Sequence, residues 1–157
     1  MASKIKSRLA SEQGFTLIEL LVVIVILGIL VAIAVPSYLA FRGNAQTAAA
    51  KSNVRSAIPA AESYYQTGST YTGMKNSTLK AQAPGISPNV LAAANAAGTG
   101  YCITDSEDGG ANYAWYTGGT GGAATISYGP KATMDAAAAC DKTVYVGSAA
   151  GDHDTIP

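Results

Sequence analysis

One apolar segment near the N-terminus dominates the hydropathy pattern of this chain. Between Leu20 and Val35 every residue is apolar or glycine, and residues 15–18 extend the segment on its N-terminal side. A hydrocarbon core about 30 Å thick is crossed by about 20 apolar residues of helix. The segment therefore predicts a membrane-spanning helix over residues 15–36.

The next segment, residues 37–66, places apolar residues at helical spacing. They recur at intervals of three and four, at Val54, Ala57, Ile58, Ala61, Tyr64 and Tyr65. This spacing puts them on one face of an amphipathic helix, which Thr67-Gly68-Ser69 is expected to end. Pro36 lies inside this long helical stretch, and we expect it to bend the helix, because proline removes one backbone hydrogen bond. The alternative is that Pro36 ends the membrane helix.

From Thr67 onwards the composition shifts to Gly, Thr, Ser, Tyr and Ala, with few charges. Residues 67–86 carry turn signals and are predicted to form a loop. Ser87 and Pro88 suit the cap and first turn of a helix, and Gly98 suits its end. A short helix is therefore predicted between Ser87 and Gly98.

Four segments with the composition of strands follow, at Gly100–Thr104, Asn112–Thr117, Ala123–Tyr128 and Lys142–Val146. The second and third show apolar residues at every other position, as expected for strands with one buried face. The glycine-rich residues 118–122 between them resemble a hairpin turn. An antiparallel sheet over the apolar helix face would bury one face of each. We therefore predict an α+β fold in which residues 67–157 form a globular head.

The charge balance argues against nucleic-acid binding. The 157 residues include ten Lys and Arg and ten Asp and Glu, so the formal net charge is zero. Nucleic-acid-binding domains instead carry clustered basic residues. The sequence also contains no recognisable Ser-His-Asp or Cys-His arrangement. Neither an enzyme nor a cofactor is predicted.

Three of the ten basic residues form a cluster ahead of the apolar segment. Lys4, Lys6 and Arg8 precede it, and positive charge marks the cytoplasmic end of a membrane helix. The chain is therefore expected to have its N-terminus in the cytoplasm and its C-terminal part outside.

Glu19 is a carboxylate inside the apolar segment. Such a charge costs about 2.5–3.5 kcal/mol at the centre of a membrane helix and less near its ends, and no Lys, Arg or His lies between Phe15 and Phe41. A protease that cut after Gly14 would leave the apolar segment on the mature protein and create an α-amine on Phe15. Because that amine would be mostly cationic at neutral pH, it could neutralise Glu19 of a neighbouring subunit.

The run Gly14-Phe15-Thr16-Leu17-Ile18-Glu19 before an apolar helix resembles the class III leader of type IV pilins and pseudopilins. The resemblance implies that residues 1–14 are a leader removed by a prepilin peptidase, that Phe15 is then N-methylated, and that Glu19 guides assembly. Pro36 matches a proline that members often carry. Removal of the leader's three basic residues and one acid would leave seven Lys and Arg against nine Asp and Glu.

The resemblance implies a structural function and a set of partners. The expected protein is a type IV pilus subunit that forms a homopolymer, with the peptidase and methyltransferase and an inner-membrane assembly platform as partners. Its precursor would cross the inner membrane once before joining an extracellular pilus. The alternative is a pseudopilin of a type II secretion or competence system. An anchored enzyme or receptor is a third hypothesis, which the missing catalytic residues argue against.

Cys102 and Cys140 are the two cysteines. The predicted topology places both outside the cytoplasm, where disulfides persist, and they allow one intramolecular pairing. The family often has such a bridge near its C-terminus. A zinc site would need two further ligands, and His153 is the one histidine. We therefore predict a disulfide and no metal.

Two weaker patterns remain. Asp105, Glu107 and Asp108 precede Gly109-Gly110 and resemble a calcium loop only loosely, so a solvated acidic turn is the preferred interpretation. Asn76-Ser77-Thr78 fits an N-glycosylation triplet, which is a pattern of low specificity.

Overall fold

The computed structural model describes residues 14–136, residue 140 and residues 145–146. The leader up to residue 13, His153 and residues 142–144 of the last predicted strand therefore lie outside the described residues. The chain divides into two compact units, with the boundary between Arg42 and Gly43.

Helix α1 runs from Leu17 to Gly68, so the predicted bounds of 15 and 66 are each two residues off. The helix does not end at Pro36, and the alternative that it would is wrong. Among the described residues, α1 is the one helix long and apolar enough to cross a membrane. Its most apolar window has a mean hydropathy of 3.2 and no buried residue.

In the second unit, α1 buries one face made mainly of small side chains. Its buried residues are Ala50, Val54, Ala57, Ala60 and Ala61. Ile58, Tyr64 and Tyr65 are partly buried against the same core. The predicted apolar face is thus confirmed, and its alanines allow the backbone of α1 to lie close to the sheet.

Within the described residues, the sheet contains five antiparallel strands in the order β4-β3-β2-β1-β5. Their bounds are Leu91–Asn95 for β1, Gly100–Asp105 for β2, Asn112–Gly119 for β3, Ser127–Pro130 for β4 and Tyr145–Val146 for β5. The predicted strands at 100–104 and 112–117 are confirmed. The third begins four residues later than predicted, at Ser127. The α+β class is confirmed.

The central strand β2 is buried along its whole length because both faces of the sheet are covered. On one face, Tyr101 and Ile103 join the core that includes α1. On the other face, Cys102 packs in a second core cluster with Trp115 and Met134. Met134 belongs to a short helix, α3, which spans Lys131–Ala136.

The prediction of a short helix after Ser87 is wrong, since this segment forms strand β1. Ala93 pairs with Cys102 of β2, and Ala94 also pairs with Val146 of β5. Alanine favours helices in isolation, but tertiary pairing overrides so weak a preference. Gly98, expected to end a helix, instead takes a positive φ of 66° in the β1–β2 hairpin turn, where Asn95 Oδ1 accepts the backbone N–H of Thr99 at 2.9 Å.

The loop predicted over residues 67–86 contains a second helix, α2, at Asn76–Gln82. At its start the hydroxyl of Thr78 accepts the backbone N–H of Lys75 at 2.9 Å. Leu79 is fully buried and anchors α2 to the core. A seven-residue helix with one apolar anchor has too short a periodic pattern to be recognised in the sequence.

Candidate functional site

The residues around the expected cleavage point form a reciprocal cap at the start of α1. Gly14, Phe15 and Thr16 are exposed and precede the helix. The backbone N–H and the hydroxyl of Thr16 both donate to Glu19 Oε2, at 2.8 and 2.7 Å. In return, the backbone N–H of Glu19 donates to the hydroxyl of Thr16 at 3.2 Å. This is a capping box, and it fixes the start of the helix at Leu17.

The capping box gives Glu19 a partner that charge analysis alone did not find. Thr16 carries no charge, but a threonine three residues before a glutamate is itself a capping signal in the sequence. A carboxylate in the first turn also interacts favourably with the helix dipole. Both bonds to the carboxylate end on Oε2, so Oε1 takes no part in the cap.

The apolar surface formed by side chains from Phe15 to Phe41 is the main exposed feature of the first unit. Every large hydrophobic side chain that is exposed in the described part of the chain lies in this range, from Phe15 at 91% to Phe41 at 72% exposure. Soluble monomers rarely expose contiguous apolar patches of this extent. We therefore expect this surface to be covered by a membrane or by other apolar helices.

A disulfide bond links Cys102 of β2 to Cys140, with 5.6 Å between their Cα atoms. Both residues are buried, in the core cluster that contains Ala93, Trp115 and Met134. The bond attaches Cys140 to the central strand. With both thiols oxidised, neither is available as a metal ligand.

A tyrosine cluster, formed by Tyr65, Tyr71, Tyr101 and Tyr116, lies between α1 and the sheet. Successive ring centroids are 4.7, 4.6 and 6.0 Å apart. The hydroxyls of Tyr71 and Tyr101 donate to the two oxygens of Glu62, at 3.0 and 2.7 Å. Sequence analysis predicted Tyr65 as core but missed Glu62, whose position beside the apolar face was the only available signal.

The environment of the cluster keeps its hydroxyls protonated. Burial, followed by the hydrogen bond to Glu62, raises the pKa of Tyr71 to about 12. The same two causes raise the pKa of Tyr101 still further. Both hydroxyls therefore remain hydrogen-bond donors to Glu62 throughout the physiological pH range.

Replacing Glu62 with alanine is expected to lower the free energy of unfolding by about 3 kcal/mol, because it leaves two buried hydroxyls without their acceptor. Denaturant unfolding of the full chain in detergent measures the change. The exposed Gln66, one turn further along α1, provides a control, since Gln66→Ala should change stability by less than about 0.5 kcal/mol. Equal effects of the two substitutions would contradict the role of Glu62.

The acidic turn, residues 106–111, follows β2 and is only partly a solvated turn. The carboxylate of Asp108 accepts the backbone N–H of Asn112 at 2.9 Å, its side-chain amide at 2.7 Å and the hydroxyl of Ser106 at 3.0 Å. Burial would raise the pKa of Asp108, but these hydrogen bonds outweigh it and the pKa is lowered. Asp108 therefore stabilises the turn itself.

Asp105 corrects the interpretation of this region as solvated, because it is 1% exposed. Within the described residues, no group of three or more His, Cys, Asp or Glu side chains is placed to hold a metal ion.

Asn76 of the glycosylation triplet is not available in the folded domain. It is 6% exposed, and its Nδ2 donates to the carbonyl oxygens of Ser87 and Val90, at 3.1 and 2.6 Å. This nitrogen is the atom that would carry a glycan. The triplet is therefore a structural element that anchors the start of α2.

Comparisons with known proteins agree with these features. Residues 9–35 match the family model of the prokaryotic N-terminal methylation motif. The type IV major pilin protein PilA of Myxococcus xanthus is 38% identical over 65 residues, which are 41% of this chain and 30% of that protein. A fimbrial protein of Pseudomonas aeruginosa is 47% identical over 53 residues, 34% of each chain.

The type IV wide pilus major component PilA4 of Thermus thermophilus is 31% identical over 101 residues, which are 64% of this chain and 77% of that protein. The matches to the first two relatives cover about a third of their length, whereas this match extends from the helix into the head. With its methylation motif, long apolar helix and small antiparallel sheet, the chain belongs to the type IV pilin family.

Proposed function

We propose that this chain is the precursor of a structural subunit of a type IV pilus, which polymerises through α1 after cleavage between Gly14 and Phe15. The observation that carries the proposal is the apolar surface from Phe15 to Phe41, with a capped carboxylate at its N-terminal end. The names of the relatives, a major pilin, a fimbrial protein and a wide pilus component, support the same function.

The precursor would be held in the inner membrane by the apolar part of α1. Lys4, Lys6 and Arg8 favour a cytoplasmic N-terminus. The bond between Gly14 and Phe15 lies outside the helix and is exposed, so a prepilin peptidase could bind it without unwinding α1. Cleavage would release the leader and leave Phe15 with a free α-amine, and the match to the methylation motif supports its N-methylation.

Assembly would then pair the Phe15 amine of one subunit with Glu19 of the next. Oε2 of Glu19 is occupied by Thr16, which leaves Oε1 for the incoming amine. In an apolar filament core an amine and a carboxylate that are not paired would each carry a large desolvation penalty. The pair therefore sets the register between neighbouring subunits.

The filament core would consist of residues 15 to about 40, held together by apolar packing. Gly28 has no atom within 4 Å of the position of an added Cβ, and with Ala32 it provides a small-residue site where helices approach closely. Pro36 would loosen the helix locally within the core. The disulfide-bonded heads would cover the outside of an extracellular pilus, whose assembly uses an inner-membrane platform.

Replacing Gly14 with valine tests this proposal. We expect cleavage to fall at least about tenfold, the effect of about 1.4 kcal/mol in the transition state, because the new side chain would hinder close approach of the peptidase to the backbone. The change is not expected to alter the fold, since nothing lies within 4 Å of the added Cβ. Immunoblots for precursor and mature chain, with electron microscopy of surface filaments, measure the result.

Gly28→Ala is the matched control for processing, since its added Cβ also meets no atom within 4 Å. It should be cleaved at the wild-type rate. Wild-type filament yield from uncleaved Gly14→Val protein would contradict the proposed function.

A further inference from the structure

A buried carboxyl group connects the end of β2 to α1. Oδ2 of Asp105 accepts a hydrogen bond from Asn53 Nδ2 at 3.2 Å, whereas Oδ1 is buried and accepts none among the described residues. An ionised carboxylate needs hydrogen-bond donors for both oxygens or contact with water. Asp105 is buried and accepts one hydrogen bond, from the side-chain amide of Asn53, so neither condition is met. The geometry therefore favours the neutral form of Asp105.

A second carboxylate shares the same amide donor. Asn53 Nδ2 also donates to Glu107 Oε1 at 2.8 Å, and Asn89 Nδ2 reaches that oxygen at 3.4 Å. Two carboxylates this close to one donor cannot both ionise without mutual repulsion. Burial first, and then the charge of Glu107 and its hydrogen bond, raise the pKa of Asp105 to about 6, while the Asn53 bond acts in the opposite direction.

The other charged groups near this pair do not compensate its charge. β3 places Ala114 opposite Asp105 in the sheet. Asp108 directs its carboxylate into the acidic turn. The ammonium group of Lys51 in α1 lies 5.6 Å from the ring centroid of Tyr128 in β4. Apart from the effect of burial, Glu107 is the group whose charge raises the pKa of Asp105.

These contacts hold the acidic turn against the part of α1 that belongs to the head. Besides the bond from Asn53 to Glu107, Gln46 Nε2 of α1 donates to the backbone oxygen of Glu107 at 3.0 Å. Glu107 is thus the residue through which α1 holds the turn, and a change in its electrostatic environment acts on the whole turn.

We propose that Asp105 and Glu107 form a proton-operated latch that fastens the acidic turn to α1. When Asp105 is protonated, the pair carries at most one negative charge, and Asn53 Nδ2 donates to one oxygen of each side chain. When Asp105 releases its proton to water, an added negative charge lies buried beside Glu107, and the turn separates from α1. The latch lies within the head and does not depend on the proposed polymerisation.

The direction of the pH dependence follows from the raised pKa. Opening exposes Asp105, whose ordinary pKa is 3.8, so the closed latch binds the proton more tightly than the open one. Its stabilising effect is therefore greatest below pH 4, decreases as the pH rises towards about 6, and is constant above that value.

Hydrogen–deuterium exchange of the full chain in detergent, from pH 4 to pH 8 and corrected for intrinsic rates, tests the latch. In the wild type we expect protection of the acidic turn, residues 106–111, to fall at least about tenfold between pH 4 and pH 6.5 and then remain level. In Asp105→Asn, which stays neutral at every pH, protection should remain level throughout.

Asp108→Asn is the matched control, because Asp108 stabilises the same turn from within. It should lower protection at every pH without changing the difference between pH 4 and pH 6.5. Wild-type protection that does not change with pH would overturn the proposal, even if the Asp105 variant failed to fold. A pH dependence retained in folded Asp105→Asn would also overturn it.

Discussion

Glu19→Ala is expected to leave cleavage after Gly14 intact and to abolish most filament assembly. Each subunit that joins would then bury an α-amine on Phe15 without its carboxylate partner. Leaving one member of a buried ion pair unpaired costs about 3–5 kcal/mol, so the equilibrium for adding a subunit should weaken by at least about a hundredfold. The ratio of sheared filament protein to processed protein in the membrane fraction measures this effect.

Glu19→Gln separates the two roles that Glu19 would have. Glutamine can complete a capping box with Thr16 as glutamate does, but it carries no charge for the Phe15 amine. We expect this variant to be processed normally and to assemble as poorly as Glu19→Ala. Leu20→Ile, a change of similar volume in the same helical turn, should assemble like the wild type. Normal filament yield from Glu19→Gln would show that the helix cap, and not the charge pair, is what assembly needs.

Loss of the Cys102–Cys140 disulfide is expected to have the largest effect on the stability of the head. The cysteines are 38 residues apart in the sequence, and closing a loop of that size stabilises a fold by roughly 4 kcal/mol on the loop-entropy model. For a domain of this size the melting temperature should fall on the order of 20 °C. Thermal unfolding of the double variant Cys102→Ala and Cys140→Ala in detergent measures the change.

Reduction of the wild-type chain provides the control for the cysteine variants. It breaks the same bond without removing a buried sulfur from the core cluster around Met134. Reduced wild type and the double alanine variant should melt within a few degrees of each other and well below the oxidised protein. An unchanged melting temperature after reduction would contradict a stabilising role for the bond.

The elements with long periodic patterns were predictable from the sequence. Sixteen apolar or glycine residues between Leu20 and Val35 predicted the N-terminal part of α1, and the alternation around Tyr113 and Trp115 correctly predicted β3. The prediction of a helix where β1 lies was wrong because Ala92, Ala93 and Ala94 show no alternation of apolar and polar residues. These alanines form a strand because β2 and β5 pair with it, and such partners are set by the fold rather than by local preference.

The site residues also divide into those that the sequence predicted and those that only the fold brings together. The Gly14 to Glu19 run is a contiguous motif, so its interpretation needed no tertiary information. Glu62 and Asp105 depend on neighbours far apart in the sequence: Glu62 meets Tyr101, and Asp105 meets Asn53. Asp105 in particular was interpreted as solvated because the acids beside it usually indicate exposure, whereas β2 carries it into the core.

The most direct test of the proposed function is mass spectrometry of filaments sheared from the surface of cells that express the chain. We predict that the dominant species begins at N-methylated Phe15 and extends to the C-terminus with its disulfide intact. Filaments built from a chain that retains residues 1–14 would contradict the proposed processing. A processed chain found only in the membrane fraction, with no surface fibre, would contradict the pilus and would favour a secretion or competence pseudopilin.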